Sequence, residues 1–406
     1  MKSTITSILL FTTLVFSSFA QNIDDNKVNF KYIQLPLQKV NPLFSTYEVR
    51  VNHLYKKANE DSLLIFQQRK DAAQATYQAQ YNAYIVQKNA LDKVYLNQLA
   101  QYEKATNAGT PATVPVPPTY PNAPLFVPLE APRLHTELTD NEVNSLVDIQ
   151  GFTKGLGGAV LTIDVYPIRD IRIIETKTGT GATTKYDYKC QYILPIMVTF
   201  ETPTEGALLK KTYFETIQYQ AIKSYASKYE YQVWFIDNGA QYYRDLERNA
   251  RKSALQEVNG IINNEFGYVS MQRNAELYSV KKYRDYDYAE VTAAYTLTTQ
   301  ALNLVGKDRN RASAIDKLSQ AIAKWEVLLG ESNMTDDKAR VNDKITAMIH
   351  CNLAELYAWK GDFDKSELHT NLSLNGGVAK FRNHSERVQS FYADQRKRWE
   401  LSLIHI

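Results

Sequence analysis

Apolar and polar residues alternate with period two over Phe30-Lys-Tyr-Ile-Gln-Leu-Pro-Leu37 and again over Tyr47-Glu-Val-Arg-Val51. This predicts two strands, the first with Pro36 at an edge or exit. The pattern then changes. Residues 56–105 contain neither Gly nor Pro and are dominated by Ala, Gln, Lys, Leu and Tyr, a composition that favours helix. Tyr77, Tyr84 and Leu91 recur seven apart, and Tyr81, Lys88, Tyr95 and Tyr102 form a second such series. The spacing predicts a long amphipathic helix over 56–105 with a heptad-like seam of about three repeats. Tyr77, Tyr81, Tyr84, Tyr95 and Tyr102 are a candidate contact surface, and the helix is a candidate for self-association.

Eight of the chain's 13 prolines follow, between Pro111 and Pro132. They predict an extended polyproline II run over 110–132, returning beside the helix as a semi-rigid strap. Docking of a proline-recognition domain is the competing reading. From Asn141 to Tyr268 the pattern is mixed. Strands are expected over 159–166, 168–175, 186–200 (with Pro195 inside), 208–219 and 229–235, with turns at Thr178-Gly-Thr-Gly181 and Thr202-Pro-Thr-Glu-Gly206. Asp237 or Asn238 can cap a helix reaching about Glu265. An antiparallel sheet with that helix packed on it is the economical arrangement.

Beyond Tyr283 the apolar spacing turns to threes and fours: Val291, Ala294, Ala301, Leu302 and Val305, then Ala314, Leu318, Ala321, Trp325 and Leu328. A second helical pair is expected over 345–359 and 364–374, and 381–399 begins a third. In the second pair, Leu353 is followed by the small Ala354, Tyr357 stands three later, and Gly361-Asp362-Phe363 closes the helix. These residues, with the Ala321/Trp325 spacing of the first pair, resemble the tetratricopeptide (TPR) repeat, whose hairpins bind other chains. His350, Thr370 and Val378 depart from it, where Trp, an aromatic and Pro are usual. The order of pieces also resembles a group of exported Bacteroidota proteins in which an α/β region precedes degenerate TPR hairpins. Phe30 to Pro36, Asn249 to Tyr268 and Asn352 to Phe363 carry that likeness, which implies an accessory or scaffold role in the envelope.

The fold expected is therefore α+β. An antiparallel sheet domain over 21–280, with the helical and proline-rich arm, precedes an all-α TPR-like module over 281–400. Residues 1–20 read as a signal peptide, with Lys2, a short apolar run and Ser18-Phe19-Ala20 before the cut. Residues 401–406 resemble a translated sequencing adapter. The chain is expected to be exported, in the periplasm, associated with the outer membrane or extracellular, and no apolar run after the signal reaches transmembrane length. The net charge of +3 is too small to argue for nucleic acid. Cys190 and Cys351 read as two unpaired buried thiols, one disulfide being the alternative.

Candidate chemistry is thin. His350 and Cys351 are adjacent, so on a helix they diverge by about 100°, and His350 reads as a packing or surface position. Gly155-Leu-Gly157-Gly158 leads into a strand rather than a helix, the wrong order for phosphate binding. No Gly-x-Ser-x-Gly elbow or Cys-His pair marks a nucleophile. No catalytic, cofactor-binding or metal-binding residue is expected. The reading is a non-enzymatic protein–protein interaction or scaffold protein of the envelope, with the concave face of the helical pairs and the tyrosine seam as contact surfaces. Its alternatives are an enzyme acting on envelope glycan through strand carboxylates such as Asp164, Asp170 and Asp187, or a tyrosine-lined carbohydrate-binding module. If the hairpin is real, Leu353→Asp or Tyr357→Asp unfolds the helical module; unchanged thermal melting of either variant rules it out.

Overall fold

The computed structural model describes residues 22–403; the expected signal peptide (1–20) and the last three residues of the adapter-like tail (404–406) lie outside the described residues. In chain order the elements are β1 (Asn22–Gln34), β2 (Thr46–His53), α1 (Leu54–Asn107), α2 (Asp140–Leu146), β3 (Thr153–Lys154), β4 (Ala159–Val165), β5 (Arg169–Thr178), β6 (Lys185–Ile193) and β7 (Ile196–Thr202). They continue with β8 (Gly206–Tyr213), β9 (Gln218–Tyr225), α3 (Lys228–Phe266), β10 (Val269–Lys282), α4 (Ala289–Leu302), α5 (Ala312–Leu329), α6 (Asp343–Lys360), α7 (Phe363–Leu374) and α8 (Ala379–Leu403). The fold is mixed α and β with antiparallel sheets, apart from a two-residue parallel pairing of β2 with β3.

The chain divides into two compact units that interleave along the sequence, in place of the linear boundary expected near residue 280. Among the described residues one comprises 22–47, 148–158 and 259–403, the other 48–147 and 159–258. In the second unit, β4 and β7 pair so that Leu161 lies opposite Phe200 and Ile163 opposite Val198. All four are fully buried, and the half-buried residues between them face the other way, as period two requires. A separate antiparallel sheet, β5-β6-β9, carries Tyr188 and Tyr225 against Tyr231 and Trp234 of α3. In the first unit, β1 and β10 form a long antiparallel ribbon running from Asn22/Lys282 to Gln34/Val269. Helices α4 to α8 each pack on the next, and α4 and α6 also pack on β10. Phe30 meets Trp359 edge-on at 5.3 Å and Tyr278 meets Phe381 at 5.0 Å, so ribbon and helices share one core.

Three strand expectations are corrected. The strand expected over 186–200 is two strands, in different sheets, because Pro195 lacks the N–H that a ladder needs. The one expected over 208–219 breaks at Phe214, whose backbone is left-handed (φ 58°). Residues 229–235 are helical, not extended. Ser227 Oγ accepts from the Glu230 N–H at 3.2 Å and Glu230 accepts from the Ala226 N–H, a Ser-x-x-Glu cap that starts α3 at Lys228. Of the aromatic residues taken for alternation, Tyr231, Trp234 and Phe235 form one helical stripe, and Tyr229 is exposed on another face. Strand β10 had no counterpart in the sequence reading.

Gly361 ends α6 at φ 87° with the Asp362 N–H donating to Tyr357 O at 3.0 Å, and Asp362 then caps α7. A Cβ there would lie 2.9 Å from the Trp399 ring. Gly361→Ala is expected to destabilise the chain by roughly 1–3 kcal/mol, read as a lower urea midpoint; an unchanged midpoint contradicts this turn.

Candidate functional site

The arm begins where α1 leaves the sheet. Tyr55 and Asn59 are its buried residues. Asn59 exchanges two hydrogen bonds with the His135 backbone, at 3.0 and 2.7 Å, and Tyr55 Oη accepts from the Leu138 N–H. Beyond them one stripe of α1 is half-buried: Phe66, Tyr77, Tyr84, Leu91, Tyr95 and Tyr102 are among its members. What covers it is the chain's own strap. Phe126 meets Tyr77 at 5.5 Å, Tyr120 lies under the Lys88 ammonium and donates to Asp92, and Pro115 and Tyr102 line one groove. Pro115, Pro118 and Pro124 are half-buried while the residues between them are exposed. Three residues per turn set a proline ridge on one side of a polyproline II helix, and here that ridge faces the tyrosines. The contacts from Tyr102 to Asn59 span about 65 Å of helix at 1.5 Å per residue. The strap from Val114 to His135 spans about 65 Å at 3.1 Å per residue. The expected strap is thus observed as the cover of the seam, which leaves Tyr81 as the exposed member of the five seam tyrosines.

In the helical module the determining element is α6, buried without interruption from Ile345 to Trp359. Its residues sort by neighbour. Leu353 and Tyr357 join the core, and the Ser366 hydroxyl donates to Ala354 O across the α6/α7 turn. Ala321 and Trp325 of α5 are fully buried, and Phe363 is buried beside Trp399. All the sequence-predicted repeat positions are therefore packing residues. A different stripe of α6 faces β10. Asn352 donates to Tyr278 O and accepts from Tyr278 N, at 2.8 and 3.0 Å, as a strand partner would. Glu355 accepts from Arg273 Nε and Nη2 at 2.7 and 2.6 Å, from Trp359 Nε1 at 2.6 Å and from Tyr392 Oη at 2.7 Å. Burial raises the Glu355 pKa, but the Arg273 charge and these hydrogen bonds outweigh it and hold the carboxyl below its usual range.

Two further buried groups were not legible beforehand. His350 is neither on the surface nor a lone packing residue: its Nδ1 lies 2.9 Å from His369 Nδ1. Burial, reinforced by His369, lowers the His350 pKa to about 4, so both rings are neutral and one donates to the other. Arg311, in left-handed backbone at φ 60°, donates to the last carbonyls of α6, Ala358 O and Trp359 O, between the faces of Trp359 and Trp399. No carboxylate pairs with it among the described residues, and burial lowers its pKa to about 10; the helix C-terminus supplies the compensating partial charge.

Openings occur between α7 and α8. A cavity of about 130 Å³ is lined by Phe363, Ser366, Thr370, Tyr392 and Ala393, and a wider one of about 390 Å³ adjoins it beside Trp399, Asp362 and Asp364. Arg396 borders both and pairs with Asp364, Glu367 and Glu400. Thr370 stands where repeats of the TPR kind carry an aromatic, and the smaller cavity lies beside it.

The carboxylates considered for catalysis are not brought together. Asp164 is on β4, accepting from Asn52, and Asp187 is on β6, accepting from Thr178 and Ser224; the two strands belong to different sheets. Asp170 lies on β5 with left-handed backbone. Cys190 and Cys351 are free and buried. Among the described residues no group of three or more His, Cys, Asp or Glu could hold a metal ion, and no helix is long and apolar enough to cross a membrane. Comparison with family models, curated proteins and solved structures gives no match.

Glu355→Gln leaves Arg273 buried beside a neutral amide and is expected to destabilise the chain by about 3–5 kcal/mol. Arg273→Met combined with Glu355→Leu is expected to cost less than the single change; equal or greater loss, by urea unfolding, contradicts the pairing. His350 takes up its proton near pH 6.5 when unfolded and near 4 when folded. The unfolded chain therefore binds more protons between those values, and this stabilisation is complete above about pH 6.5 and lost as pH falls towards about 4. The lowered pKa values of His369 and His384 act in the same direction. His350→Gln is expected to flatten the fall in stability between about pH 7 and pH 4 by roughly 1–3 kcal/mol; an unchanged slope contradicts it.

Proposed function

We propose that the chain is an exported, non-catalytic scaffold of the bacterial envelope, acting through TPR-like helical hairpins that bind partner proteins. One observation carries this reading: five consecutive helices each pack on their neighbour in sequence order, with the small-residue contact at Ala354/Ser366 and the Gly361-Asp362 turn inside a hairpin. Such packing in sequence order supports the one-dimensional stacking of a helical repeat array. The departures at His350 and Thr370 are compatible with it, since His369 and the small cavity respectively take the room of the usual aromatics.

The reading also moves the binding surface. In such arrays the first helix of each pair lines the concave face. Here α4 and α6 occupy that role and carry β10, so the module already holds an extended segment of its own chain. A partner is then met on the α7/α8 side, where the apolar cavity adjoins a rim rich in Asp and Glu. Such a rim suits an apolar anchor residue next to a Lys or Arg.

Crosslinking mass spectrometry in the native envelope tests this. The expected outcome is reproducible crosslinks from Lys360, Lys365 or Lys397 to one partner, reduced by Ala393→Trp, which fills the cavity. Absence of any reproducible partner overturns the proposal, as does peptidoglycan turnover by the chain that Asp164→Asn abolishes.

A further inference from the structure

The strap has a second side. Beside its half-buried prolines it presents Val114, Val116, Leu125, Val127 and Leu129, which are 42–87% exposed. With the open edges of Tyr120 and Phe126 they offer on the order of 800 Å² of mainly apolar surface, the share that one partner contributes to a stable interface and more than a solitary patch on a monomer usually shows. Charge is sparse on this side: Lys88 and Asp92, beside Tyr120, pair with each other at 2.9 Å. No Asp, Glu, Lys, Arg or His occurs in 105–129, nor in 72–87 of the helix beneath. Depletion of charge around aromatic and aliphatic side chains marks the core of a protein interface.

That chemistry decides the occupant. A nucleic acid or an anionic lipid surface has no basic residue on the strap to engage. A charged protein partner has no opposite charge there to align with. A second copy of the same face has what is needed: two-fold apposition sets apolar against apolar, with no like charges meeting. We propose that two copies of the chain associate through the outward faces of their straps, residues 114–129, giving an arm-to-arm dimer of two-fold symmetry.

The mode differs from a two-helix coiled coil. The tyrosine seam is used within the chain, so the helices stay apart and the straps meet. It is independent of the helical-module reading, because every residue it uses lies in the arm.

Sedimentation velocity of the full chain over a concentration series tests it. The expected result is conversion from one-chain to two-chain mass. Val116→Asp combined with Leu125→Asp should weaken association at least tenfold, with unchanged circular dichroism and melting temperature. A second measurement covers the case in which that variant misfolds. Cys190 and Cys351 are buried, so Leu125→Cys adds one accessible thiol, which a short bis-maleimide should join across the dimer at least tenfold faster than the thiol of Val86→Cys. Val86 lies about 200° round α1 from the strap-facing Tyr84. One-chain mass for the wild type at every concentration overturns the proposal. So does a dimer that the double variant leaves equally tight, equal crosslinking at both thiols, or flotation of the chain with phosphatidylcholine vesicles in place of dimerisation.

Discussion

A carboxylate sealed inside a helical bundle has to be neutralised where it stands, and Glu355 is neutralised by a strand. Its two oxygens take four donors, two from Arg273 of β10, one from its own helix and one from Tyr392 of α8. Three residues earlier on α6, Asn352 grips Tyr278 of the same strand. Two attachment points, at Arg273 and Tyr278, fix where β10 lies along α6 and which of its faces is turned inward. Because β1 pairs with β10 along the whole ribbon, its placement follows. A buried ion pair is not a strong source of stability compared with an apolar filling of the same volume. What it supplies is placement: a ribbon shifted by one residue would leave the arginine and the glutamate buried apart.

That requirement explains why α6 is buried on every side. Helices α5 and α7 cover two flanks, the ribbon covers a third, and the polar residues that remain are each matched to a specific neighbour. Arg311 extends the same logic to the helix end. Its guanidinium stands on the last carbonyls of α6, so the charge is held by backbone dipoles and tryptophan faces rather than by a carboxylate. The module is thereby built around a helix that the ribbon and its neighbouring helices enclose. At α7 and α8, by contrast, the ion pairs through Arg396 lie at the surface and are weak enough to exchange.

Much of this fold was legible in the sequence where one physical signal dominated. The absence of Gly and Pro with abundant Ala and Gln marked α1, the proline density marked the strap, and spacings of three and four marked α4 to α8. Strand β10 was hidden because its first half, Ser270 to Asn274, is polar and its second half is covered on both faces, so neither stretch alternates cleanly. The start of α3 reads as a strand because four aromatics in the seven residues 229–235 imitate alternation, although the Ser227/Glu230 cap is a local and decisive signal. The sequence marks both the seam tyrosines and a strap returning beside the helix, but not that the one covers the other. Heptad-like spacing reports that one helical face is covered and does not say by what. The roles of Glu355, Asn352 and Arg311 depend on residues 37 to 84 positions away, beyond any local pattern.

The arm shows how two unlike helices can share a seam. Tyrosines seven apart on α1 are about 10.5 Å apart along its axis, and prolines three apart on the strap are about 9.3 Å apart. The two series drift by roughly 1 Å per repeat, which side chains as broad as tyrosine absorb over a few repeats but not over many. The proline series 115, 118, 121, 124, of which Pro121 is exposed, is of that length, and after it the spacing widens to four, at Pro128 and Pro132. A straight stripe needs period 3.6 rather than 3.5, and the half-buried positions from Tyr55 to Tyr102 keep to 3.6. The helix therefore has no cause to supercoil around a second helix. A proline strap, in which eight of the 22 residues 111–132 have no N–H to donate to a sheet, stays extended on the helix and exposes its valines and leucines.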